Sequence, residues 1–191
     1  MTKRILLAGV LGGLALFMWG GLAHMVLGLG EVGVQFLPQQ QAVMDTLKTT
    51  TPQPGFYFFP QVDKAGNAPA AQAGGPWGIL IYHANGASGM RPGQLVNECI
   101  LNIVVALFAA FLLSLAAGLN SYPKRVGFVT LVGLTVAIMT NLEYLNWYEF
   151  PLNYTLANIL EVVIGFVIVG LIAGAIVKPS ETRVLTMPKA A

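Results

Sequence analysis

Seven polar side chains within or beside the long apolar stretches of this 191-residue chain are its candidate binding residues. Imidazole and carboxylate groups bind manganese, iron or zinc, and they also carry protons. An ionisable group within a membrane-spanning stretch costs about 2.5–3.5 kcal/mol and is therefore a functional candidate by default. The seven residues are His24, Glu98, Asn102, Asn141, Glu143, Asn158 and Glu161.

Three interpretations of these residues stay open. The imidazole of His24 and the carboxylates of Glu98, Glu143 and Glu161 could form a metal or proton site. His24 could instead bind a cofactor, as a ligand of haem iron or chlorophyll magnesium, or the groups could form a hydrogen-bond network that fixes the helix ends. The sequence contains no HExxH motif, no Glu-x-x-His pair and no second histidine in an apolar stretch, so a two-histidine haem site is not expected. The cofactor and the metal stay unknown.

Other chemistry finds little support in the composition. No constellation of residues predicts a reaction, and we expect that the protein is not an enzyme. The single cysteine, Cys99, excludes an intrachain disulfide and a cysteine-based metal site. The net charge of +2 is too small to predict nucleic-acid binding.

The elements that must position these side chains are apolar. Hydrophobic residues make up 55% of the chain and charged residues 9%, whereas soluble domains carry roughly 25% charged residues. A membrane span needs about 20 apolar residues, and its backbone must satisfy its own hydrogen bonds, which predicts helices. We therefore predict an all-α membrane protein, a bundle of four transmembrane helices. The predicted segments are 1–29, 95–119, 126–146 and 154–177.

The first segment is predicted to stay in the protein as a helix. Lys3 and Arg4 precede it, as basic residues precede a signal peptide, but a signal peptide has an apolar region of about 7–15 residues and a cleavage site. This stretch is longer, and residues 23–25 do not form a good cleavage site.

Lysine and arginine placement predicts the orientation. Most basic residues fall on one side of a four-span chain, and they are Lys3, Arg4, Lys124, Arg125, Lys178, Arg183 and Lys189. The predicted location is the plasma (inner) membrane. The positive-inside rule then places both termini, the 120–125 loop and the 178–191 tail on its cytoplasmic side. The 30–94 loop and the 147–153 turn are extracytoplasmic. At 1.5 Å per residue, all seven candidate residues lie within roughly 10 Å of the outer boundary.

Small residues recur every four positions and predict how the helices pack, because close contact is the main source of helix association in lipid. Helix one offers Gly9 and Gly13, and the last helix offers Gly170 and Gly174. The two remaining helices carry Ala106, Ala110, Ser114 and Gly118, and Gly133, Ala137 and Asn141.

The 30–94 loop is predicted to form a small cap. Apolar spacing within 39–49 predicts a short amphipathic helix. Residues 56–59 and 77–83 predict two strands of a hairpin, and Asn85-Gly86 is a turn dipeptide. A helix and two strands bury little surface, so the cap must lean on the membrane, the helix ends or another protein.

The leading functional prediction is a non-catalytic integral membrane subunit or interaction protein. Its partners are the lipid bilayer and other membrane subunits, contacted through helix faces and the aromatic residues Phe56, Tyr57, Phe58, Phe59 and Trp77. The alternative is a membrane-embedded redox, proton or cofactor-binding protein, with a metal, quinone or tetrapyrrole near His24 and Glu161. A small carrier is the third possibility.

Overall fold

The computed structural model describes residues 2–69, 72–84, 86 and 89–178, and it is mostly helical. In this described part, five α-helices and one two-stranded hairpin confirm the predicted set of elements. Four of the helices are long and apolar enough to cross a membrane, which is the composition of a multi-pass membrane protein. The elements are α1 (Thr2–Met25), a 3-10 turn (Leu29–Glu31), α2 (Gln40–Thr50), β1 (Gly55–Phe59), β2 (Gly78–Tyr82), α3 (Pro92–Leu115), α4 (Tyr122–Tyr148) and α5 (Leu152–Ile176).

The helix ends differ from the sequence boundaries where glycine and proline set them. α1 ends at Met25 rather than residue 29, since Gly28 has a left-handed φ of 66°. α3 begins at Pro92, a residue suited to the first turn of a helix, and ends at Leu115. Gly118, with a φ of 74°, therefore lies beyond α3. The spacing had predicted that Gly118 belongs to the packing stripe of α3, and this prediction is wrong.

The start of α4 lies inside the loop that the sequence predicts before it. α4 starts at Tyr122, so four of the six residues of the predicted 120–125 loop are helical. Asn85 and the tail from residue 179 onward lie outside the described residues.

The first of two compact units holds the four long helices, except for the last two residues of α4. It comprises the described residues of Met1–Gly33, Met90–Asn146 and Phe150–Ala191. Glycines bring the helices together: Gly9 and Gly13 of α1 lie against Leu107 and Ile103 of α3, and Gly133 of α4 lies against the Phe166 ring of α5. Side chains from all four helices form one apolar core, which contains Ala8, Ala106, Ala109, Ala110, Leu113, Val129, Phe166, Val169, Ala173 and Val177.

The second unit comprises Val34–Gly89 and Trp147–Glu149. Its strands β1 and β2 are antiparallel, with Phe56 opposite Ile81 and Phe58 opposite Ile79. A turn after β1 is built on Asp63, whose carboxylate accepts the backbone N–H groups of Ala65 and Asn67 at 2.8 and 2.9 Å. The hydrogen bond from the Asn67 backbone is the main cause that holds the Asp63 pKa below its usual value.

Candidate binding cavity

A polar pair joins α1 to α5. His24 lies in the last turn of α1, and its Nε2 is 3.0 Å from Oε1 of Glu161 in the interior of α5. The His24 side chain is 54% exposed and that of Glu161 is 18% exposed, so the pair is open on the histidine side. The structure therefore brings together the two residues that the sequence put at the centre of a binding site.

Neighbouring residues hold this pair in place. The indole Nε1 of Trp19 donates a hydrogen bond of 2.9 Å to the Glu161 carbonyl oxygen. Gly165, one turn further along α5, leaves room for this indole, because an added Cβ would lie 3.3 Å from Trp19 Cδ1. Gly30 in the 3-10 turn lies directly against His24 Nδ1, and any side chain there would collide with the imidazole.

A second polar pair lies on α3. The Asn102 Nδ2 donates to the Glu98 side chain at 2.9 Å and to the Glu98 carbonyl at 3.0 Å. Residues four apart on a helix share a face, and Leu95 lies on this face three residues before Glu98. The face continues along α3 into the buried stripe at Ala106.

The two polar pairs line one cavity of about 690 Å³ in the first unit. This volume is in the range of small-molecule sites, which are mostly apolar with a few placed polar groups. The cavity is lined by Phe17, Met18, Gly20, Gly21, Leu22, His24, Met25, Val26, Met90, Leu95, Glu98, Asn102 and Glu161.

Two adjacent glycines of α1 leave this space empty. At Gly13 the backbone of α1 touches Ile103 of α3, but a Cβ added to Gly20 or Gly21 would meet no atom within 4 Å. The same glycine-rich face of α1 therefore packs tightly in its first half and opens in its second half. The cavity begins where the helix contact ends.

Three predicted site residues lie outside this lining. The Asn141 Nδ2 donates to Ala137 O and the Asn158 Nδ2 donates to Tyr154 O, each at 2.9 Å within its own helix. Glu143 is exposed on α4. The polar residues thus divide into a cavity set of four and a set of three that the fold does not bring to it.

The geometry disfavours metal coordination by His24. Its Nε2 contacts Glu161 and its Nδ1 faces Gly30. Neither ring nitrogen is therefore open to coordinate the iron of a haem or the magnesium of a chlorophyll. Within the described residues, no three His, Cys, Asp or Glu side chains come together as a metal-binding group. Of the four residues of the predicted metal or proton site, His24, Glu98 and Glu161 line the cavity and Glu143 does not.

Sequence reasoning missed the apolar half of the site. Met18, Met25 and Met90 line the cavity, and methionine is a flexible, polarisable residue common at adaptable binding surfaces. The available signal was the Gly9–Gly13 stripe, which continues by helical spacing through Phe17 to the Gly20-Gly21 pair.

Comparisons with known proteins add no information on this cavity. No protein-family model, no curated protein and no solved structure matches the chain.

Proposed function

We propose that this protein is a membrane-embedded binding protein for a lipid-soluble molecule with a hydrogen-bonding head, such as a hydroxyl or quinol group. The observation that carries the proposal is the apolar cavity that contains the His24–Glu161 and Glu98–Asn102 pairs. A membrane-embedded cavity of this kind selects a molecule that partitions into lipid, because lipid is the solvent from which the ligand comes.

The polar pairs would distinguish the ligand from a lipid acyl chain, because an acyl chain has no group that can hydrogen-bond to them. A polar group that faces lipid instead of water needs a hydrogen-bond partner, and a site that offers such groups discriminates against molecules that lack the matching donor or acceptor. The Glu98 carboxylate accepts one hydrogen bond from Asn102 and has lone pairs left for a ligand hydroxyl. The Glu161 carboxylate, held at 3.0 Å by His24 Nε2, keeps further lone pairs as a second acceptor for a ligand hydroxyl.

The experiment compares two photoreactive probes on the purified full chain in lipid nanodiscs. One probe is a diazirine-bearing long-chain alcohol, and the other is the matching alkane without the hydroxyl. We expect the alcohol to label peptides of α1 and α3 that line the cavity, and an excess of unlabelled long-chain alcohol to compete. Glu98→Ala should weaken labelling by the alcohol but not by the alkane.

A matched pair of glycine variants controls for surface labelling. Gly21→Leu fills the cavity, while Gly127→Leu in α4 adds the same side chain at another helical glycine that has no atom within 4 Å of an added Cβ. Labelling should disappear in the first variant and persist in the second. Equal labelling by both probes, unchanged by Gly21→Leu, would mean that the cavity is an ordinary lipid groove and would overturn the proposal.

A role as a subunit of a larger membrane complex is the second candidate, and Glu143 favours it. This carboxylate is exposed on α4, near the end of a helix of membrane-spanning length. A basic residue of a partner subunit would satisfy it. The test is the mass of the complex in native membranes: a mass above that of the chain, lost in Glu143→Lys and kept in Glu143→Gln, supports a partner, and an unchanged mass in both variants contradicts this role for Glu143.

The orientation belongs to the same proposal. Both termini face the cytoplasm of a prokaryotic cell, the chain crosses the plasma membrane, and the 34–89 segment is extracytoplasmic. The support is the concentration of basic residues in the segments before α1, between α3 and α4, and after α5.

A further inference from the structure

The hairpin of the second unit carries an apolar face. Phe56 and Phe58 of β1 lie on the same face as their cross-strand partners, Ile81 and Ile79 of β2. Phe56, Phe58 and Ile81 are 57%, 53% and 69% exposed, although the Phe56 and Phe58 rings are 5.0 Å apart in an edge-to-face contact. Such a patch marks a surface that something other than water covers.

The chemistry of the unit points to lipid as the cover. Neither strand contains a charged residue. The charged side chains of 34–89 lie instead on α2 and in the turn after β1, and they are Asp45, Lys48, Asp63 and Lys64. Tryptophan and tyrosine collect at membrane–water interfaces, and this unit places Trp77 directly before β2 and Tyr148 against the Phe58 ring.

A ring contact within the second unit gives the depth of this face. The Phe58 ring lies 6.0 Å from the ring of Tyr148, which is the last residue of α4. α4 has 27 residues, which corresponds to about 40 Å of helix against a hydrocarbon core of about 30 Å. The charged Lys124 and Arg125 in its first turn keep that end out of the hydrocarbon, so Tyr148 reaches the opposite headgroup region.

We infer that the hairpin face formed by Phe56, Phe58, Ile79 and Ile81 rests on the lipid headgroup region of the membrane that the four long helices cross. The hairpin is then a peripheral contact of the protein with its own bilayer. This inference does not depend on the cavity, because it uses residues of the second unit and the length of α4.

Spin labels on the full chain in phosphatidylcholine–phosphatidylglycerol vesicles test the inference. The single cysteine makes a clean background possible, with Cys99→Ala and one new cysteine at a time. Ile81→Cys and Phe56→Cys report on the hairpin face, and Lys64→Cys in the charged turn is the control. Collision with oxygen, which dissolves in lipid, is compared with collision with a water-soluble nickel chelate.

The expected result is an oxygen-to-nickel collision ratio several-fold higher at positions 81 and 56 than at position 64. A nickel collision rate at Ile81→Cys equal to that at Lys64→Cys would show a face in water and overturn the inference. Shielding from both reagents would also overturn it, because the face would then be covered by protein. Equal helix content by circular dichroism in all three variants establishes that the fold is kept, and the second hairpin position decides if one variant fails to fold.

Discussion

The Nε2 of His24 and the Oε1 of Glu161 lie 3.0 Å apart and join the last turn of α1 to the interior of α5. The two residues are distant in sequence, so this contact is a tertiary one that fixes two spans against each other. It also places one imidazole and one carboxylate in the wall of the cavity.

A double-mutant cycle measures this contact. Removing either partner leaves the other polar group without its hydrogen bond, so His24→Ala and Glu161→Ala should each lower the free energy of unfolding by about 1–3 kcal/mol. The double variant should lose less than the sum, with a coupling of about 0.5–3 kcal/mol. Denaturant titration of the purified protein in mixed micelles gives the values.

The control cycle pairs His24→Ala with Asn158→Ala. The Asn158 amide bonds to its own helix, so its coupling to His24 should be near zero. A coupling of the same size in both cycles would contradict a specific His24–Glu161 contact.

The glycines of α1 should divide into two classes. Gly13→Ala places a methyl group on the backbone of Ile103, and we expect a loss of about 1–3 kcal/mol from overpacking. Gly21→Ala points into open space, so the higher helix propensity of alanine should leave stability equal or raise it by up to about 1 kcal/mol. Thermal unfolding of the two variants beside the parent protein is the measurement, and equal losses at both positions would refute the close-packed and open halves of α1.

Arg125 should stabilise the end of the fold opposite the cavity. Its Nε donates to Gly174 O at 2.7 Å and its Nη1 donates to Leu119 O at 3.3 Å. Gly174 lies in the last turn of α5, where carbonyl groups lack helical partners and a cation is favoured. Arg125→Ala should lower the free energy of unfolding by about 1–3 kcal/mol.

Two variants make the Arg125 result specific. Lys124→Ala changes an exposed neighbour and should have an effect within about 0.5 kcal/mol. Arg125→Lys keeps the charge but cannot make both contacts of the guanidinium, so its stability should fall between those of the parent and Arg125→Ala. Equal stability of Lys124→Ala and Arg125→Ala would contradict the contact.

The Asp63 turn should depend on acid pH. The backbone hydrogen bond from Asn67, followed by its side-chain bond, holds the Asp63 pKa below 3.8. A lowered folded-state pKa means that the carboxylate stabilises the turn above its unfolded-state pKa, and that this contribution is lost as pH falls through the lower folded value. The amide signals of Ala65 and Asn67 should therefore keep their folded shifts at pH 5 and change only below about pH 4. Asp63→Asn should abolish this titration, and an unchanged transition in that variant would assign it to another group.

Composition and hydrophobic length were enough to predict the four long helices, because a stretch such as residues 154–177 has few alternatives to a helix in lipid. The cap helix and the hairpin were also predicted, from the spacing of Val43 and Leu47 and from the aromatic run of β1. Helix ends were harder, since they depend on local backbone conformation. Gly28 ends α1 early through a left-handed φ that hydropathy does not register.

The membership of the cavity could not be predicted from the sequence. Glu98, Asn102, His24 and Glu161 share a cavity, while Asn141 and Asn158 bond to carbonyls of their own helices. Sequence spacing gives the face of one helix but not its rotation against the next. Trp19 went unnoticed for this reason, because its hydrogen bond to Glu161 depends on how α1 and α5 meet.

The most direct test of the whole account is the sidedness of Lys64 and Lys124. The proposed four-span arrangement puts the 34–89 segment and the α3–α4 connection in opposite compartments. In a Cys99→Ala background, Lys64→Cys should react with a membrane-impermeant maleimide on intact cells, and Lys124→Cys should react only after the cells are opened. Reaction of both cysteines on intact cells, or protection of both until lysis, would place them on one side of the membrane and contradict the account.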